Sequence, residues 1–61
     1  MTLNMNGKIV TVEKAQKAFG VKVFDWMLRE AYKIKAVNIR NPITETNWTD
    51  RTGTHDLTIS L

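Results

Sequence analysis

The sequence predicts an α+β fold, with two consecutive helices, a C-terminal antiparallel β-hairpin, and a short strand or hairpin ahead of the first helix. Three observations predict it. Apolar residues recur at helical spacing between Val12 and Ile34, and the period then drops to two. Turn residues separate the segments at Asn6-Gly7, Gly20, Asn41-Pro42 and Asp50 to Gly53. With 61 residues, the chain has room for one domain, spanning 1–61.

Asn6-Gly7 is a strong tight-turn signal. Leu3 and Met5 before it and Ile9 and Val10 after it suit a short hairpin, and a single strand from Lys8 to Val10 suits the pattern as well. Thr11 then reads as a helix N-cap, with Glu13 placed where its charge favours the helix dipole. Val12, Ala15, Ala18 and Phe19 form the apolar stripe, and Gly20 closes the helix with a positive φ. A second helix is predicted from about Lys22 to Lys33. Val23, Met27, Ala31 and Ile34 line one side of it, with Phe24 and Leu28 widening that stripe, and Lys22, Asp25, Arg29 and Lys33 lie opposite. It has no Ser, Thr, Asp or Asn cap, so its start is poorly marked. Val37 and Ile39 alternate with Asn38 and Arg40, which reads as a strand ended by Asn41-Pro42. Thr44 to Thr49 and the alternating Leu57, Ile59 and Leu61 form the hairpin arms, giving a two- or three-stranded sheet.

Composition narrows the function. A domain this small buries only about 60% of its unfolded surface, so it needs a dense core or a partner. There is no cysteine and a single histidine, His55, which leaves no disulfide, no thiolate metal site and no expected cofactor. The core is expected around Trp26, Trp48, Phe19, Phe24 and Tyr32, and a 43% hydrophobic content favours a homo-oligomer. No apolar run is long enough to span a bilayer, and Met1 to Asn6 lacks the features of a signal peptide. A cytoplasmic protein is expected, and Asn47-Trp48-Thr49 then matches the glycosylation pattern by chance. Catalysis on a small-molecule substrate is not expected. A chain this short hardly folds around a pocket, no phosphate loop or nucleophile motif is present, and His55 and Asp56 point to opposite faces of a strand. His55 reads instead as a surface residue of the hairpin.

Charge is unevenly distributed. Residues 1–40 carry eight Lys/Arg against three carboxylates, a balance of +5, whereas residues 41–61 carry Arg51 against Glu45, Asp50 and Asp56, a balance of −2. A basic helical half suits a polyanionic partner, and equally a plain solvated face.

Two helices separated by one glycine and followed by a hairpin have the outline of a winged helix-turn-helix. The stretch Thr11-Val12-Glu13-Lys14-Ala15-Gln16-Lys17-Ala18-Phe19-Gly20-Val21 resembles the first half of the short winged helix-turn-helix of phage excisionases and MerR-like regulators. Ala15, the apolar pair Ala18-Phe19 and Gly20-Val21 occupy the family's small, apolar and turn positions, and Arg29-Glu30 and Lys35-Ala36-Val37 resemble the end of its recognition helix and the lead into its wing. The resemblance covers about residues 11–40. Where the family places polar residues after the turn, this chain has Val21-Lys22-Val23-Phe24.

The resemblance implies a DNA-binding transcription regulator or excisionase-like accessory protein, encoded by a phage or mobile element, that acts on double-stranded DNA. Lys22, Arg29 and Lys33 would enter the major groove, with Arg29 reading guanine and Asp25 orienting it. Lys14, Lys17 and Arg51 would contact phosphates. A rival reading starts from Trp26, at the edge of the polar helix face. Trp26 and Met27, with Trp48 on the hairpin, would anchor a protein partner (a host protein bound by a phage inhibitor, for example) or a second copy of the chain.

Overall fold

The computed structural model describes all residues, Met1–Leu61. Its elements are β1 (Thr2–Met5), β2 (Lys8–Ile9), α1 (Val12–Phe19), α2 (Val21–Val37), β3 (Glu45–Thr49) and β4 (Asp56–Ser60). The expected α+β class is present, but the sheet has four strands rather than two or three. It is antiparallel throughout, in the order β2-β1-β4-β3.

The fourth strand comes from the N-terminus. Asn6 and Gly7 adopt φ of 53° and 85°, the left-handed geometry of a tight turn that folds β2 back onto β1. β1 then pairs with β4 along Thr2–Ser60, Leu3–Ile59, Asn4–Thr58 and Met5–Leu57. Asn6 fastens this join. Its backbone N–H donates to the Asp56 carbonyl at 2.9 Å, its side-chain oxygen accepts from the Asp56 N–H at 2.9 Å, and its side-chain N–H donates to the Thr54 carbonyl at 3.1 Å.

Thr11 caps α1, its hydroxyl accepting from the Lys14 N–H at 3.2 Å. Gly20 ends α1 and starts α2 with no residue between them. Its N–H donates to the Gln16 carbonyl at 2.7 Å, and its own carbonyl accepts from the Phe24 N–H at 2.9 Å. The turn needs φ of 91° with ψ of 146°, a region essentially reserved for glycine.

Both helices lie on the same face of the sheet. The core between them is Leu3, Met5, Leu57 and Ile59 from the strands and Ala15, Phe24, Met27 and Ala31 from the helices. Ala15 and Ala31 are fully buried, and their small side chains let the helix backbones approach the sheet closely.

Four sequence expectations are corrected here. Residues 37–40 are not a strand: α2 runs on to Val37, the Asn38 N–H still donates to the Ile34 carbonyl, and Val37 and Ile39 are each 81% exposed. A four-residue alternation is too short to outweigh continued i→i−4 bonding through Ala36, a good helix former. Lys35 Nζ also ties this end of the helix to the Leu61 carbonyl at 2.9 Å. Trp26 and Tyr32 are not core residues, being 54% and 53% exposed, because the buried side of α2 runs along Phe24, Met27 and Ala31. Trp48, expected in the core, is half-buried at its margin and packs edge to face on Trp26. Met27 is not an interface residue: at 2% exposed it lies in the middle of the core.

Candidate functional site

The layered fold separates the charges. Between Val12 and Val37 the helices carry Lys14, Lys17, Lys22, Arg29, Lys33 and Lys35 against Glu13, Asp25 and Glu30. The other face of the sheet has no helix over it. Strand alternation places Thr2, Asn4, Ile9, Glu45, Asn47, Thr49, Asp56, Thr58 and Ser60 there, and its only charges are the carboxylates of Glu45 and Asp56. Asn47 organises this face, its side-chain N–H donating to Asp56 Oδ1 at 2.7 Å and Thr58 Oγ1 at 3.1 Å. Sequence reading missed the face because its outline depends on β1 joining β4.

The six cations proposed from the sequence are all exposed. Lys22, Arg29 and Lys33 lie along the outward side of α2, at spacings that place them on one stripe. Arg29 Nε meets Asp25 Oδ2 at 3.1 Å and Lys33 Nζ meets Glu30 Oε1 at 3.7 Å. Such exposed pairs contribute only a few tenths of a kcal/mol and yield readily to a stronger anion. Lys14, Lys17, Lys22 and Arg51 form no ion pair. Lys14 and Lys17 share a shallow groove along α1 with Thr11 and Glu13.

Arg51 sits elsewhere, at the tip of the β3–β4 hairpin. There it borders a cleft of about 380 Å³ whose walls include Phe19, Val23, Trp26 and Trp48, with Met27 as its floor. The rings of Trp26 and Trp48 meet edge to face at 5.3 Å, a favourable aromatic geometry. Trp48 is half-buried, and its indole N–H donates to Thr46 Oγ1 at 2.9 Å. The structure thus joins Trp26, Trp48 and Arg51 in one place and leaves Lys14 and Lys17 on a different helix.

His55 is not a plain surface residue. It is half-buried, its ring lies 6.1 Å from that of Phe19, and its Nδ1 is 2.7 Å from Asp50 Oδ2. The pair closes the hairpin and fixes it to the end of α1. Asp50 also accepts from the His55 backbone N–H at 3.2 Å and the Thr52 hydroxyl at 3.1 Å. These bonds, the His55 side chain first, hold the Asp50 carboxyl down from the ordinary 3.8 to about 2. As pH falls from about 4 to about 2, the unfolded chain therefore takes up a proton that the folded hairpin refuses, and native stability declines. The expected result is an acid-side drop in the urea unfolding midpoint across this window, with a shallower drop in Asp50→Asn. Equal slopes in the two proteins would remove Asp50 as the cause.

Comparison with protein-family models, curated proteins and solved structures finds no match to this chain.

Proposed function

We propose that this protein is a small cytoplasmic DNA-binding regulator or excisionase-like accessory protein of a phage or mobile element, acting without a cofactor or catalytic centre. The observation that carries the reading is the separation of charge between the layers. The helices carry six cations against three carboxylates, while the only charges on the uncovered sheet face are carboxylates. Duplex DNA attracts the first surface and is repelled by the second.

In this reading the outward side of α2 enters the major groove. Arg29 is the candidate for bidentate contact with guanine, and Asp25 holds its guanidinium in line. Lys22 and Lys33 flank it, and Lys14, Lys17 and Arg51 contact phosphates. One domain of this size offers few such contacts, so the protein acts as an assembly of copies. The likeness of residues 11–21 to excisionase and MerR-type helices supports the same orientation.

A second reading is favoured by the exposure of Trp26. In it, the Trp26–Trp48 cleft engages a protein partner, and the basic stripe serves solubility. Two variants separate the readings. Arg29→Ala combined with Lys33→Ala is expected to abolish duplex binding, measured by fluorescence anisotropy, while Trp26→Ala, read at a chain concentration that keeps the copies assembled, leaves it within about threefold, well under the tenfold that 1.4 kcal/mol represents. No duplex binding by the wild type, or duplex binding unchanged in the Arg29/Lys33 double variant, would refute the DNA reading.

A further inference from the structure

We propose that the chain forms a two-fold dimer through β3, with Asn47 on the symmetry axis, so that two four-stranded sheets join into one of eight strands. The dimer stands independently of any DNA partner.

The order β2-β1-β4-β3 leaves two edges, and β2 is only two residues long. β3 is five residues long and keeps an unbroken register against β4, with no bulge, no proline and no inward-pointing charge. These are the usual devices that stop an edge from pairing. Thr44 and Leu61 exchange both backbone bonds, at 3.0 and 2.9 Å, and the Asp50 N–H donates to the His55 carbonyl at 3.1 Å. Antiparallel alternation therefore turns the backbone groups of Thr44, Thr46, Trp48 and Asp50 toward β4. Those of Glu45, Asn47 and Thr49 point away from the sheet.

That outward set is self-complementary. Rotation about Asn47 places Asn47 opposite the copy's Asn47, and Glu45 opposite the copy's Thr49. Every outward-facing residue then meets an outward-facing one, in the geometry where paired residues exchange both backbone bonds. No like charges meet along the paired strands.

Five paired residues span roughly 17 Å, too little contact alone for a stable dimer, which needs about 1,000 Å² or more in total. The flank of α2 beside this edge supplies the remainder. Trp26, seated against Trp48 of β3, is 54% exposed, and Val23, Ile34 and Val37 recur with it at helical spacing, all exposed, around Glu30, whose carboxylate is paired with Lys33. A dimer through β3 brings this apolar stripe against its copy and closes the two Trp26–Trp48 pairs over the seam. Lys22 and Arg29 stay on the outward side, and Lys33, paired with Glu30, borders the seam.

Sedimentation equilibrium of the full chain without DNA tests this. The expected mass is twice the 7.0 kDa of one chain. Asn47→Pro removes an N–H that faces away from β4, so it is expected to give a monomer with an unchanged far-UV spectrum. A second pair of variants decides the matter if Asn47→Pro loses that spectrum. Thr49→Lys faces Asp56 within its own sheet and the copy's Glu45 across the seam, so it is expected to tighten the dimer. Adding Glu45→Lys sets Lys against Lys at two seam pairs and is expected to weaken the dimer at least tenfold. Opposite effects from two lysines on one strand do not arise from unfolding. A monomeric wild type, an assembly larger than a dimer, a folded Asn47→Pro that stays dimeric, or lysine variants without opposite effects would overturn the proposal.

Discussion

Met27→Ala is expected to cost about 3 kcal/mol, within the 2–5 kcal/mol seen when buried Met, Leu or Ile is cut to Ala. Met27 is 2% exposed and belongs to the eight-residue core with Phe24, Leu57 and Ile59. Truncation removes its transfer energy and leaves a cavity that the sheet and Gly20-fixed helices fill only in part. A domain of this length holds on the order of 3–9 kcal/mol in all, so the variant stands near or past the unfolding threshold at ambient temperature. Urea denaturation followed by tryptophan fluorescence measures it. A loss below about 0.5 kcal/mol, the ordinary effect of a surface substitution, would place Met27 on the surface instead.

Gly20→Ala is expected to cost about 2 kcal/mol for a different reason. A Cβ at this position meets nothing within 4 Å, so there is no steric clash with neighbouring groups. The cost is in the backbone: φ of 91° with ψ of 146° is closed to residues bearing a Cβ. Relaxing that angle disturbs both bonds Gly20 makes, the last of α1 and the first of α2, and changes how the helices cross the sheet. At roughly 4–8 °C per kcal/mol for a domain near this size, the thermal midpoint is expected to fall by about 10 °C. An unchanged midpoint would mean that the junction tolerates an ordinary turn, and that the inter-helix angle is not fixed by glycine.

These two positions also show what was legible in the sequence. Local signals were sound where the physics is local. Thr11, Asn6-Gly7, Gly20 and the Asp50 to Gly53 turn all fall where cap and turn chemistry places them, and Leu57 and Ile59 keep the alternation of a half-buried strand. The pairing of β1 with β4 was not legible, because Leu3 and Ile59 stand at opposite ends of the chain and neither segment marks the other. Asn6 read as a turn residue, while its side-chain bonds to Thr54 and Asp56 exist only once that pairing forms.

Helix α2 misled for another reason. Its apolar residues cover so wide an arc that the pattern does not say which third faces the sheet, so Trp26 and Tyr32 are expected in the core and instead stand half exposed. The cations of the candidate interface were visible from the start, but their environments were not. Arg29 and Lys33 carry carboxylate partners, Lys14, Lys17 and Lys22 do not, and the acidic, uncovered sheet face opposite them became visible only with the strand order.

The most direct test of the DNA reading is the affinity of the wild-type protein for duplex DNA as a function of salt. Neutralising six phosphates through Lys14, Lys17, Lys22, Arg29, Lys33 and Arg51 releases their counterions, at about 0.9 per contact. The logarithm of the association constant is therefore expected to fall linearly with the logarithm of salt concentration, with a slope of about −5 per bound chain. No binding at low salt, or an affinity that does not change with salt, would contradict the assignment of the helical layer as a DNA-binding surface.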